Sequence, residues 1–174
     1  ERYLTDGSLI VRRFNDSTSI ILIDRVRIGT NICVDWRPLF DRSITDTLLF
    51  TTRTSGLVEL AISICGKFWE ANVEWTAHAP RAVEYGVPQS VLDDVLAGRR
   101  PGGTPEQVLI YDVCMTMQTE HRLPMPLYQS AVATFGERGL MEIMAVIGYY
   151  TLVSMTLNAF EVQVAPGVEA PFKR

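Results

Sequence analysis

A glutamate and a histidine stand four residues apart near the middle of the chain, at Glu74 and His78. On an α-helix this spacing places both side chains on one face, about 40° apart at ~100° per residue. A carboxylate beside an imidazole can orient its tautomer and raise its basicity, so the pair suggests proton transfer near neutral pH. The alternative is a solvated helix face, where such pairs contribute only a few tenths of a kcal/mol.

Four further residues extend this candidate site. Glu59 lies between apolar neighbours on a helix that the pattern predicts to be buried, where a carboxylate needs a partner because its desolvation is costly. Its alternative is an exposed position on the far side of an amphipathic helix. Trp75 can supply an apolar wall. Arg53 or Arg81 can hold a substrate carboxylate through a planar guanidinium, although an exposed helix end is the more ordinary role for each.

Cysteine and histidine usage argues against metal and disulfide sites. Cys33, Cys65 and Cys114 are widely spaced and form no CxxC, and the chain has two histidines. The pattern therefore predicts neither a disulfide scaffold nor a Cys/His metal site, and we expect a reducing, cytoplasmic setting.

Length and charge narrow the classes of protein. The 174 residues fit one main domain, and 47% hydrophobic against 21% charged residues are enough to fill a core. The formal net charge of −4 argues against a general nucleic-acid binder and against a polybasic membrane anchor.

The first 35 residues differ from the rest. Segments 8–13 and 19–24 are rich in β-branched residues, and 15–17 has turn composition. We expect a hairpin or an extended arm over 1–35, which can also wrap a neighbouring subunit.

From residue 36 the apolar residues recur with helical spacing. The pattern predicts helices over 36–49, 57–69, 73–77, 89–97, from 105 onward, over 126–135 and from 137, with a domain over 36–162 and a tail over 163–174. We expect the third of these to stop before Pro80, because the residue before a proline avoids the helical region. The fold class is all-α with a possible β arm.

Residues 143–160 carry no charge over 18 positions, which is the lower edge for a membrane-spanning helix. The segment contains polar residues and has acidic flanks, so we favour a helix in a bundle core or a subunit interface over a membrane span. Tyr149 and Tyr150 lie in it, and a buried tyrosine needs a hydroxyl partner. We assign Tyr149 to the candidate site, while the sequence leaves open which of the two faces it.

Several short segments, in this order, resemble the carboxymuconolactone decarboxylase family of the alkylhydroperoxidase-D-like superfamily. The resemblance spans roughly residues 36–161 and rests on Glu59-Leu-Ala-Ile62, Glu74-Trp-Thr-Ala-His78-Ala-Pro80, Gly86-Val-Pro88, Ile147-Gly-Tyr-Tyr150 and Asn158-Ala-Phe160. It implies an alkylhydroperoxidase-D-like helical bundle, no metal or organic cofactor, a small-molecule substrate, and a homo-oligomer built as a trimer or hexamer.

The redox branch of that superfamily carries a glutamate, then a CxxC, then a histidine. Registering Glu59 and His78 on this order places the two cysteine positions at Ala71 and Glu74, so both thiols are absent. Thiol peroxidase chemistry needs an attacking thiolate and a resolving partner. We therefore expect no such activity, and we interpret Cys65 as a core residue.

The decarboxylase branch implies a lyase or isomerase acting on a small carboxylated lactone or unsaturated acid. His78 is then the proton donor or acceptor, Glu74 orients it, and Glu59 completes a proton relay or positions the imidazole. Two alternatives remain: a non-catalytic ligand-binding or assembly protein on the same fold, and a residual redox enzyme using Cys65 or Cys114.

Overall fold

A computed structural model of the chain describes residues 26–28, 32–34 and 55–173. The chain divides into two compact units, Glu1–Phe50 and Thr51–Arg174. Arg53, the strands expected at 8–13 and 19–24 and the helix expected over 36–49 lie outside the described residues, so these expectations stay predictions.

In the first unit, two short strands form an antiparallel hairpin. Strand β1 is Val26–Ile28 and strand β2 is Ile32–Val34, with Val26 opposite Val34 and Ile28 opposite Ile32. The hairpin falls within the segment where β structure was expected, but it follows the two runs from which the sequence predicted strands.

The described part of the second unit is all-α, as the sequence predicted. Its elements are α1 Ser55–Phe68, α2 Asn72–Glu84, α3 Gln89–Leu96, α4 Pro105–Glu120 and α5 Met125–Ala159.

Helix α1 lies at the centre of this unit and packs against all four other helices. Burial is continuous from Glu59 to Gly66. Nearly the whole circumference of the helix is therefore covered over these residues, in agreement with the buried helix that the pattern predicts around Glu59. At the end of the helix Phe68 is 37% exposed.

The helix predicted over 73–77 was expected to stop before Pro80. This was wrong, because the corresponding helix α2 runs on to Glu84 with Pro80 inside it. A proline in a helix removes one backbone hydrogen bond and crowds the preceding turn. Here Pro80 is exposed, while Ala79 and Ala82 on either side of it are buried. Tertiary packing of the helix therefore outweighs the local preference.

Helices α3 and α4 begin at the residues that the sequence predicted, Gln89 and Pro105. Helix α3 is followed by Gly98 at φ +72°, a conformation that glycine adopts without strain. Helix α4 begins with a capping box, in which the Gln107 amide N–H donates to Thr104 Oγ1 and the Thr104 amide N–H donates to Gln107 Oε1.

Helix α5 is interrupted at Gly136, whose φ of 76° and ψ of 167° are not helical. The break falls between the two helices that the sequence predicted for this region. By length and composition α5 could cross a membrane, and a third of its most apolar 18-residue window is buried. Within the described residues Met141, Leu152 and Met155 are exposed. These properties are shared by core, interface and membrane helices, so the expectation of a non-membrane helix stays a prediction.

Helices α1 and α2 approach each other closely at Gly66. A Cβ at this position would lie 3.1 Å from Glu74 Cβ and 3.2 Å from the Trp75 backbone nitrogen. We expect Gly66→Ala to lower the free energy of unfolding by about 1–3 kcal/mol, because α2 must move away. Denaturant unfolding measures this change.

The matched control is Gly148→Ala in α5, where an added Cβ meets nothing within 4 Å among the described residues. It should stabilise the protein by up to about 1 kcal/mol, since alanine has the higher helix propensity. A Gly66→Ala variant as stable as the control would contradict the close approach.

Candidate functional site

The first two helices bring His78 between two carboxylates. Helices α1 and α2 run in opposite directions, since Gly66 faces Glu74 and Glu59 faces His78 across them. His78 Nδ1 lies 2.6 Å from Glu59 Oε2, a hydrogen bond in which the imidazole donates to the carboxylate. On the other side of the ring, Nε2 lies 3.3 Å from Glu74 Oε2. The three residues that the sequence proposed as catalytic are therefore together.

All three groups are shielded from water. His78 is 5% exposed, Glu59 7% and Glu74 2%. Burial alone would lower the pKa of His78, but the two flanking carboxylates outweigh it and raise the pKa from 6.5 to about 9. The imidazole is therefore a cation at neutral pH and holds a proton that it can donate.

The two glutamates differ in how their oxygens are used. Glu59 accepts the hydrogen bond from His78 through Oε2, and its Oε1 lies 3.4 Å from Arg81 Nε. Glu74 Oε2 has no hydrogen-bond partner among the described residues, although it is fully buried. Its contact with His78 Nε2 at 3.3 Å is an ion pair, which helps to raise the pKa of the imidazole. Glu59 is the closer partner of the imidazole, at 2.6 Å against 3.3 Å for Glu74. This favours the positioning role that was one of two expected for Glu59, whereas Glu74 was expected to orient the ring.

Arg81, a candidate for binding a substrate carboxylate, lies one turn beyond His78 on α2. Its Nε is at ion-pair distance from Glu59, and its side chain is largely buried. The guanidinium therefore balances the charge of Glu59 and helps to fix its position. Two acidic and two basic side chains thus lie together between the two helices. We call them the α1–α2 charge cluster: Glu59, Glu74, His78 and Arg81.

Of the two adjacent tyrosines near the end of α5, Tyr149 and Tyr150, it is Tyr150 whose ring packs on the histidine. Its ring packs edge to face on His78 with the centroids 5.2 Å apart, and Tyr149 packs edge to face on Tyr150 at the same distance. Burial is the main cause that raises the pKa of Tyr150, with the negative charge of Glu74 next. Tyr149, the candidate assigned from the sequence, packs on Tyr150 and lies within electrostatic reach of Glu74, because burial and then the charge of Glu74 raise its pKa to about 12.

Trp75 points into a different part of the unit. Its ring packs edge to face on Phe172 at 6.0 Å, and it lines a groove of about 640 Å³. The groove lies between α2, α3 and the tail, and His78 is not part of its lining. The tail is held there by Asn72, whose side chain donates to the Phe172 carbonyl and accepts from its amide, both at 2.9 Å.

The described cysteines do not suit thiol chemistry. Cys65 and Cys114 are both fully buried and not in a disulfide. Burial raises the pKa of Cys65 to about 12, with the charge of Glu74 adding to it, and burial raises that of Cys114 as well. The reactive species is the thiolate, so these side chains behave as core residues. Among the described residues, no group of three or more metal-ligating side chains could hold a metal ion.

Comparison of the chain with protein-family models, with curated proteins and with solved structures gives no match. The functional argument therefore depends on the α1–α2 charge cluster itself, with the family resemblance of the sequence as an expectation.

Proposed function

We propose that the protein is an acid–base enzyme, a decarboxylase or isomerase acting on a small carboxylated lactone or related unsaturated acid. The observation that carries this proposal is the buried His78 imidazolium held between Glu59 and Glu74. A histidine with a raised pKa in a protected site is a candidate general acid. The resemblance of the sequence to the carboxymuconolactone decarboxylase family supports the choice of substrate class.

The chemistry follows from the position of the proton. In decarboxylation the bond between a substrate carbon and its carboxylate breaks, and CO₂ leaves. The electron pair of the broken bond passes into the unsaturated lactone carbonyl. The proton on His78 Nε2 is then transferred to the carbon, and the neutral imidazole regains a proton from water. Glu59 holds Nδ1–H throughout and stabilises the cationic form before the transfer.

Replacing His78 with glutamine tests this role. We expect His78→Gln to lower kcat for CO₂ release from carboxymuconolactone by about 10²–10⁴-fold, because an amide cannot act as the general acid. Glu84→Gln, at the exposed end of the same helix, should retain wild-type turnover. Unchanged turnover in a folded His78→Gln variant would contradict the assignment of His78 as the general acid.

A second candidate function is non-catalytic binding of a small ligand. The observation that favours it is the groove beside Trp75, which is largely apolar and does not include His78. The same variants separate the two functions. Two results together would identify a binding protein. The wild type would turn over neither a lactone nor an unsaturated acid, and His78→Gln would bind its ligand with unchanged affinity.

A further inference from the structure

We infer that helix α5 binds a second copy of this chain, and that the two α5 helices pair antiparallel about a two-fold axis level with residue 150. This inference is independent of the proposed function, since it concerns the outer face of α5 and not the α1–α2 charge cluster. The juxtaposition that carries it is an exposed, uncharged stripe on which large and small residues are ordered so that the stripe complements itself.

The exposed residues of α5 beyond its break at Gly136 recur with a seven-residue period. Between residues 141 and 160 every exposed residue lies on one stripe of the helix, and one half-buried alanine completes it. The steps along the stripe are four, three, four, three and four residues, which is the spacing of a coiled-coil seam. We call it the α5 stripe: Met141, Ala145, Gly148, Leu152, Met155 and Ala159.

The α5 stripe faces away from the rest of the described unit. Helix α5 packs on α1 and α4, whereas the stripe leaves Met141 67%, Leu152 41% and Met155 47% exposed. Residues 143–160 carry no charge, so a partner that covers the stripe desolvates no ion there. A narrow seam of this kind fits one partner helix, whereas a helix lying in a lipid surface is apolar over a broader face.

The order of side-chain sizes shows which partner helix fits. In an antiparallel pair centred on residue 150, positions equally far on either side of the centre face each other across the two helices. Each layer then holds one large and one small residue, and the two-fold axis repeats each contact. The layers are Met141 with Ala159, Ala145 with Met155, and Gly148 with Leu152. This alternation lets facing side chains interdigitate along the whole stripe.

A parallel pair of the same helices fits less well. Each residue would then face itself, so Met141, Leu152 and Met155 would each form a layer of two large side chains. Ala145 and Gly148 would form layers with almost no side-chain volume between the helices. Layers of such different width cannot all be in contact at one interhelical distance, and the gaps would forfeit packing. The stripe therefore favours the antiparallel pair.

Disulfide formation tests this register in the full chain with Cys33→Ser as background. We expect the double variant Ala145→Cys/Met155→Cys to form a covalent dimer in oxidised glutathione, because each new thiol faces the other kind in the second copy. Within one chain the two positions lie about 15 Å apart along the helix, too far for a disulfide. Cys65 and Cys114 are buried and stay out of the reaction.

Each single variant, Ala145→Cys or Met155→Cys, is the matched control. In the antiparallel pair a residue lies about 15 Å along the axis from its own counterpart, so neither single variant should give a covalent dimer. In a parallel pair each residue would face its counterpart, and both single variants would cross-link. Single variants that cross-link as readily as the double variant therefore overturn the inference.

Sedimentation of the full chain measures the association without a cross-link. We expect the wild type to be a dimer and Leu152→Glu to raise its dissociation constant at least about 100-fold, because a carboxylate would be buried opposite Gly148 without a partner. The control is Tyr128→Glu, which changes an equally exposed residue of α5 on the other side of the Gly136 break and should leave the constant unchanged. Circular dichroism establishes that each variant is folded.

Other occupants of the α5 stripe give different results. A monomeric wild type that binds vesicles of neutral phospholipid assigns the stripe to a lipid surface. A monomer in which the thiol of Met155→Cys is protected from a maleimide assigns it to another segment of the same chain. Each of these results overturns the inference, as does a dimer that Leu152→Glu and Tyr128→Glu weaken equally or not at all.

Discussion

Replacing Glu59 with alanine is expected to lower the free energy of unfolding by about 3–5 kcal/mol at pH 7. The substitution removes the 2.6 Å hydrogen bond to His78 and the contact with Arg81, and it leaves two buried cations facing one carboxylate. Removing one member of a buried ion pair is costly, because the charge that remains is desolvated and uncompensated. Chemical denaturation monitored by circular dichroism measures the loss.

The matched control for this change is Glu84→Ala, an exposed glutamate that ends α2. It should stay within about 0.5 kcal/mol of the wild type, as surface substitutions usually do. A double-mutant cycle of Glu59→Ala with His78→Ala then isolates the energy of the pair. If Glu59→Ala lowers the free energy of unfolding no more than Glu84→Ala does, Glu59 and His78 do not form the buried charged pair that the geometry describes.

The second large effect concerns pH. The pKa of His78 is raised from 6.5 to about 9 in the folded protein, so the folded state binds more protons than the unfolded chain between these two values. Its contribution to stability is fully present below pH 6.5 and is lost as the pH rises through 9. The shift corresponds to about 3 kcal/mol, and we expect the free energy of unfolding to fall by that order between pH 6 and pH 9.

The His78→Gln variant is the control for this pH dependence, and its stability should change little over the same range. Above pH 9 the wild type should lose further stability, because the buried thiols of Cys65 and Cys114 stay protonated in the fold while they ionise in the unfolded chain. Thermal or urea unfolding at a series of pH values measures the loss of stability in both pH ranges, from pH 6 to pH 9 and above pH 9. A wild type and a His78→Gln variant with the same slope below pH 9 would contradict the raised pKa.

Much of the candidate site could be predicted from the sequence because it depends on local geometry. The four-residue spacing of Glu74 and His78 needs only a helix to bring the two side chains together, and the helix is present. Glu59 could be proposed as a carboxylate on a helix predicted to be buried, but its role beside His78 was only implied by the family resemblance, since spacing alone cannot tell which residues of α1 face α2. The sequence also could not show which of the two carboxylates lies closer to the imidazole, because this follows from how α1 and α2 are rotated against each other.

Other features depended on packing that no local pattern reveals. Helix α2 continues past Pro80 because buried alanines on both sides of the proline hold it against the rest of the unit. Trp75, expected in the wall of the site, is one residue from Glu74, and a step of ~100° turns it toward the groove and Phe172 instead. The burial of α1 on all sides from Glu59 to Gly66 likewise follows from its contacts with four other helices.

The side-chain clamp of Asn72 on Phe172 joins residues 100 positions apart, and the bond from Asn158 to the Trp69 carbonyl joins residues 89 apart. The contact between Glu59 and His78 spans only 19 positions. Closing a longer segment of chain costs more entropy before its contacts can compensate for it. Among these three connections of the described residues, the α1–α2 charge cluster therefore has the lowest entropic cost of loop closure, because it lies within a local helical hairpin. The tail and the last helix are attached through contacts between residues much farther apart in the sequence.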